Sequence, residues 1–192
     1  TCSQQLAIDS LLQKRQRLEL SNKFVEADTN YIKTLYDLAR SYVYLNKDST
    51  MAIASKALDF STKINYKKGI AGSKLALGIA SIFEGNFDTG FKNTKEAKKI
   101  SETIKADNIY LSSLNAMGMG YFMKTDYPNS YLYSQLGRKK AQELNNTDML
   151  SRFNMNLATS FAILNEPEQA LPYYQECLEL VQKNNNPSAL GQ

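Results

Sequence analysis

The chain has few residues able to do covalent chemistry. Its 192 residues include no histidine, which removes the usual general base, the commonest metal ligand and any phosphoacceptor imidazole. The two cysteines, Cys2 and Cys177, are too few for a four-cysteine zinc site. One is terminal and the other sits at a phase that elsewhere carries small residues, so a disulfide between them is not expected. There is no glycine-rich phosphate cradle and no Gly-x-Ser-x-Gly elbow, and the carboxylates are scattered rather than paired. No catalytic, metal or cofactor residue is therefore assigned, and the chain reads as non-enzymatic. The remaining charged chemistry is cationic: Lys67 with Lys68, Lys98 with Lys99, and Arg138 with Lys139 and Lys140, on a net charge of +4. These clusters read first as solvated helix faces. Binding to an anionic partner is the minor alternative, and with no aromatic-basic motif beside them nucleic acid is not an expected partner.

What positions the other residues is a repeat. Gly78, Gly118 and Ala158 share one phase of a 40-residue period (118 − 78 = 158 − 118 = 40). So do Leu77, Met117 and Leu157; Gly90, Ser130 and Ala170; and Ala97, Gly137 and Cys177. Phe87 is matched by Tyr127. A fixed period of this size predicts stacked helical hairpins, each burying its apolar side against its neighbours. Composition agrees, with 43% hydrophobic and 22% charged residues and few glycines and prolines. No apolar run reaches the roughly 18–20 residues that cross a bilayer, so membrane insertion by this segment is not expected.

Each unit predicts two antiparallel helices, A and B. Helix A of the second unit covers about 68–84 and ends at Gly85 and Asn86; helix B covers about 87–104 with Phe91, Ala97 and Ile100 inward. The third unit has helix A near 108–124, a turn at Thr125 and Asp126, and Pro128 at the start of helix B. The fourth has helix A near 149–164, Asn165 as a cap and Pro167 opening helix B, while Pro172 deeper inside should cost one backbone hydrogen bond and bend the helix. In the first unit the turn is placed around 46–49, about one residue shorter than elsewhere. An extra helix near 5–20, with Leu6, Ile8, Leu11, Leu12 and Leu18 apolar, is expected to cap the open first repeat. The expected organisation is thus 1–27 as amino-terminal segment and cap, 28–66, 67–106, 107–146 and 147–185 as four repeats, and 186–192 as the start of a fifth in a longer protein, or else a frayed end.

The order Leu77, Gly78, Gly85, Asn86, Phe87, Gly90, Ala97 and Ile100, and the matching Leu157, Ala158, Phe161, Ala170, Tyr174, Cys177 and Leu180, resemble the tetratricopeptide repeat pattern. The likeness implies an all-α, right-handed superhelical solenoid of antiparallel helix pairs, with helices longer than in the usual 34-residue repeat. Lys74 in place of an apolar residue, Ser81 in place of an aromatic one and Lys140 in place of an aliphatic one depart from the pattern. A narrower likeness rests on Ile8, Asp9, Ser10, Leu11 and Leu12, on Asp28 with Thr29, and on residues 63–71. It is similar to the amino-terminal sensor regions of bacterial signalling proteins, in which such repeats precede a transmembrane helix and a histidine kinase or DNA-binding output domain. That resemblance implies a periplasmic, membrane-anchored module of a two-component or related signal-transduction system. Cys2 stands where an exported bacterial protein can be lipidated, or else is the tail of an ordinary signal peptide or an incidental thiol.

The resemblance also implies that helix A lines a concave face. The candidate partner contacts are then Tyr36, Asp37, Arg40 and Tyr44 in the first unit; Leu75, Ile79 and Phe83 in the second; Asn115, Met119 and Met123 in the third; and Met155, Asn156, Thr159 and Ile163 in the fourth. So apolar a stripe reads as a protein- or peptide-binding groove, or as a surface covered by neighbouring helices. Asn115 and Asn156 could bond a peptide backbone and Arg40 a carboxylate. Two other functions stay open: a lipid-anchored scaffold that assembles or dimerises a complex, and a cytoplasmic peptide-responsive regulator.

Overall fold

A computed structural model describes residues 2–21, 24–26 and 28–185, the side chains of 2–4, 181 and 183–185 excepted. The expected fifth-repeat start at 186–192 and the thiol of Cys2 lie outside the described residues. Among the described residues all regular structure is helical: α1 (Cys2–Glu19), α2 (Thr29–Tyr42), α3 (Lys47–Lys63), α4 (Lys67–Phe83), α5 (Phe87–Thr103), α6 (Asp107–Met123), α7 (Tyr127–Glu143), α8 (Thr147–Ile163) and α9 (Pro167–Asn185). From α3 onward the helices start at residues 47, 67, 87, 107, 127, 147 and 167, so the 40-residue sequence period is a pair of helices. The largest shift from expectation is at α1, which begins at Cys2 rather than near residue 5; among the repeat helices it is at α8, which begins at Thr147 rather than near Met149. The Asn146 side chain accepts from the Met149 N–H at 3.0 Å, which makes Asn146 the cap and places Met149 inside the first turn.

The three-residue connectors after α3 share one construction. Their middle residue is left-handed: Asn65 (φ 53°), Gly85 (φ 78°), Lys105 (φ 54°), Thr125 (φ 61°), Asn145 (φ 52°) and Asn165 (φ 59°). The next residue returns its N–H to the carbonyl five positions earlier, as in Asn86 to Ser81 at 2.9 Å and Asp126 to Tyr121 at 2.9 Å. This satisfies carbonyls that a helix end leaves open. Asn86, Asp126 and Asn146 then cap the following helix with their side chains, so one residue closes one helix and opens the next. The first hairpin corrects an expectation. Its turn lies at 43–46, one residue longer than the others rather than shorter, because 47–49 already belong to α3. There Leu45 and Asn46 both donate to the Tyr42 carbonyl at 2.8 Å.

Packing divides the chain into two compact units, Thr1–Ser113 and Leu114–Gln192. In the first, α1 packs on α2, α2 on α3 and α4, α3 on α4, and α4 on α5. Its core is Tyr31, Ile32, Leu35, Tyr36, Ala57 and Phe60, extended by Ala39, Ala54, Ala76 and Leu77. Helices α4 and α5 meet where side chains are missing. A Cβ on Gly78 would lie 3.0 Å from the Gly90 carbonyl oxygen, and one on Gly90 would lie 2.6 Å from Ile82 Cγ1. Lys74, unexpected in a helix-A core register, keeps its charge at the edge and pairs with Glu96 of α5 at 2.6 Å.

In the second unit α7 packs on α8 and α8 on α9. Phe153 is fully buried, as are Leu114, Leu157 and Ala158, with Met117 and Ala170 nearly so. Helix α9 runs through Pro172 without ending. Buried hydroxyls in both units mostly serve their own helix: Thr94 donates to the Gly90 carbonyl at 2.9 Å, Ser61 to Ala57 at 2.6 Å, and Ser160 to Asn156 at 2.9 Å. Such residues stay small at a helix contact without leaving a polar group unpaired.

Candidate partner-binding faces

Helix A of each hairpin turns one edge to solvent, and the expected contact residues divide sharply along it. In the first unit Tyr36 and Leu75 are core. Tyr36 is 2% exposed and its ring lies over Gly72 of α4, while Leu75 is fully buried. Both are corrections to the expected groove: Tyr36 is taken up by the packing of α2 on α4, and Leu75 has no surface left for a partner. Burial, with the neighbouring Asp37 charge adding to it, pushes the Tyr36 phenol well above its ordinary value.

Asp37 and Ile79 are half-buried, and Asp37 is paired with Lys33 one turn earlier on α2. Arg40 does not stand free for a carboxylate; its Nη2 donates to Ser112 Oγ at 3.1 Å, tying α2 to α6. What remains accessible is at the carboxyl-terminal end of helix A. Tyr44 is 58% and Phe83 39% exposed, and the two rings meet edge to face with centroids 5.0 Å apart. Beside them Lys47 and Glu84 pair at 2.8 Å.

In the second unit Asn115 and Asn156 are half-buried and bond each other: Asn156 Nδ2 donates to Asn115 Oδ1 at 2.9 Å, linking α6 to α8. Asn115 Nδ2 in turn points to the Met119 sulfur at 3.4 Å. Met119 and Thr159 are half-buried, whereas Met123, Met155 and Ile163 are exposed. Met155, Thr159 and Ile163 follow one another at four-residue steps, so they form one stripe along α8. Phe83, Met123 and Ile163 occupy the same repeat position, the last residue of helix A, and each keeps an apolar side chain in water.

Of the cationic clusters, Lys98, Arg138 and Lys140 have partners within the fold, while Lys67, Lys68, Lys99 and Lys139 are exposed. Lys98 pairs with Glu102 at 3.2 Å and lies over the Tyr110 ring, and Lys140 pairs with Glu143 at 3.2 Å. Arg138 is the centre of a network that the sequence did not disclose. Its Nε donates to Asn154 Oδ1 and its Nη2 to Glu176 Oε2, both at 2.7 Å, with the Tyr173 ring 5.6 Å away. Cys177 is buried and donates to the Ser151 carbonyl at 3.2 Å; burial raises its thiol above the ordinary value, the opposite of an activated nucleophile. Among the described residues no cluster of three or more histidine, cysteine, aspartate or glutamate side chains is placed to hold a metal ion, and no helix is long and apolar enough to cross a membrane.

No protein-family description and no curated protein matches the chain. Solved structures do. BtubC (BKLC) from P. vanneervenii superimposes with a TM-score of 0.70 at 15% identity, covering 95% of this chain and 75% of that one. A putative kinesin light chain from Podosopora anserina with nearly identical TPR-like repeats gives 0.59 at 12% identity over 94% of this chain and 88% of its own. A second structure of that kinesin light chain gives 0.62 at 11% identity over 95% and 89%. At such identities the likeness is one of fold: the chain is an all-helical array of TPR-like helix pairs.

Proposed function

We propose that this chain is a non-catalytic module that binds protein or peptide partners through the exposed ends of its A helices. The observation behind this reading is the apolar residue kept in water at the last position of successive A helices, Phe83, Met123 and Ile163, with Tyr44 beside the first of them. An exposed aromatic pair in one unit and a methionine-bearing stripe in the other are surfaces suited to apolar side chains of a peptide or helix. The sensor reading, in which the module lies outside the inner membrane of a bacterium and signals to an output domain, rests on the sequence resemblance of residues 8–12, 28–29 and 63–71 alone. Lipidation at Cys2, assembly of a homodimer and a cytoplasmic regulatory role are alternatives within the same binding function.

The test is selection of a displayed peptide library on the whole chain, followed by titration of the selected peptides against Phe83→Ala and Met119→Ala. Loss of binding with unchanged helicity supports the reading. Peptides that bind both variants as tightly as the unmodified chain, or a failure to select any peptide, would sink it.

A further inference from the structure

The amino-terminal helix is attached unlike the others. Helices α3 to α9 follow one another across three-residue connectors, whereas residues 20–28 separate α1 from α2. Along α1 the side chains turned to the body of the unit are Ile8, Leu11, Arg15 and Leu18, spaced as one helical stripe. Of the described side chains of α1, Ile8 alone is buried; Leu6 and Leu12, also apolar, face water at 64% and 37% exposure. Leu18 packs with Phe24 on the Tyr31 and Phe60 cluster.

The rest of the attachment is polar and converges on one carboxylate. Glu19 Oε1 accepts from the Tyr31 hydroxyl of α2 at 2.6 Å and from Arg15 Nε at 2.9 Å. Lys56 of α3 stands behind it, 3.4 Å from the Tyr31 hydroxyl and over the Tyr31 and Phe60 rings. Once α1 is away, α2 and α3 therefore present an apolar floor, a phenol donor and an ammonium group.

We infer that α1 is the resident occupant of a helix-docking face built by α2 and α3, and that an amphipathic helix of a partner protein takes the same face by displacing it. The partner helix carries an aliphatic residue for the Ile8 position and a carboxylate eleven residues later for the Glu19 position, two sites that share a helix face because eleven residues make about three turns. A helix bound by a narrow apolar stripe and one charged latch opens at a lower free energy than the body it covers. Release of α1 leaves the start of α2 in place, because the Asp28 side chain accepts from the Asn30 and Tyr31 N–H groups and caps that helix independently of α1.

The probe is a labelled peptide of residues 2–19 added to the whole chain. Ile8→Asp in the chain weakens the resident helix, so the peptide should bind that variant at least about tenfold more tightly than the unmodified chain. The same peptide carrying Glu19→Gln should bind the variant about tenfold more weakly than the native peptide. Hydrogen exchange on the unmodified chain gives a second reading, independent of whether Ile8→Asp folds. Amides of α1 should exchange through an opening that leaves α4 and α5 protected. Equal binding to both chains, no binding to either, or α1 and α4 amides exchanging together would overturn the inference.

Discussion

The ring of Phe153 on α8 lies directly on the backbone of Gly137 on α7, where an added Cβ would come within 2.1 Å of the ring carbons. Phe153 is fully buried and cannot swing out without opening the unit. Gly137→Ala should therefore destabilise the protein by about 1–3 kcal/mol or more through overpacking. Gly118 is a control of the same type: its nearest atom is the Ser134 hydroxyl at 3.0 Å, followed by the Ser130 carbonyl oxygen at 3.6 Å. Gly118→Ala should be near neutral, or stabilising by up to about 1 kcal/mol from helix propensity. Urea midpoints of the two variants decide this, and equal losses would contradict the packing described.

Thr125 and Lys105 occupy left-handed positions that suit glycine or asparagine, and Thr125 is β-branched as well. Thr125→Gly and Lys105→Gly should each stabilise by about 1 kcal/mol, the larger gain at Thr125. Gly85→Ala, at φ 78° with open space around it, should lose a similar amount from backbone strain alone. Thermal melts of the three variants would show the opposite signs.

The Tyr31 and Glu19 pair should shape the alkaline and acid limbs of stability. Burial, helped by the bond to Glu19, raises the Tyr31 phenol to about 12. The folded state thus favours the neutral phenol, so its contribution is complete below pH 10 and fades as pH climbs from 10 towards 12. Burial alone would raise the Glu19 carboxyl, but the hydrogen bonds from Tyr31 and Arg15 together with the Lys56 charge bring it below its ordinary value. Its contribution is present above pH 4.5 and is lost as acid protonates it in the folded state. Tyr31→Phe should flatten both limbs in denaturation series across pH; unchanged limbs would show that the pair does not matter to folding.

Phe83→Ala and Met119→Ala should weaken partner binding while leaving far-UV circular dichroism intact. Phe83 is 39% exposed, so its truncation removes contact area without opening a core. Met119 is half-buried, and a small loss of stability is expected beside the loss of binding. If both variants unfold, Phe83 and Met119 belong to the core and the assignment of a binding face there is wrong.

The period and its small residues were readable because close helix approach constrains residue type at fixed positions: Gly78 with Gly90, and Gly85 with Asn86, declare a contact and a turn in any context. Lys105 and Thr125 declared nothing, since their left-handed backbone is imposed by the helices on either side rather than favoured by their own side chains. Helical spacing puts Tyr36 and Leu75 on a face but does not say what covers it; for Tyr36 the cover comes from the packing of α2 on α4. Gly137 was legible as a small residue, yet its partner Phe153 lies on another helix and has no spacing that announces it. Arg138, seen only as part of a cationic run, gains its meaning from Asn154 and Glu176, which no local pattern joins to it.

The three-residue connectors leave no slack. Each is closed by a left-handed middle residue and a return hydrogen bond to the carbonyl five positions earlier, so adding a single residue to one of them would break that closure. Length variation among natural variants of this chain should then be confined to residues 20–28 and 43–46, with the remainder changing only in whole helix pairs.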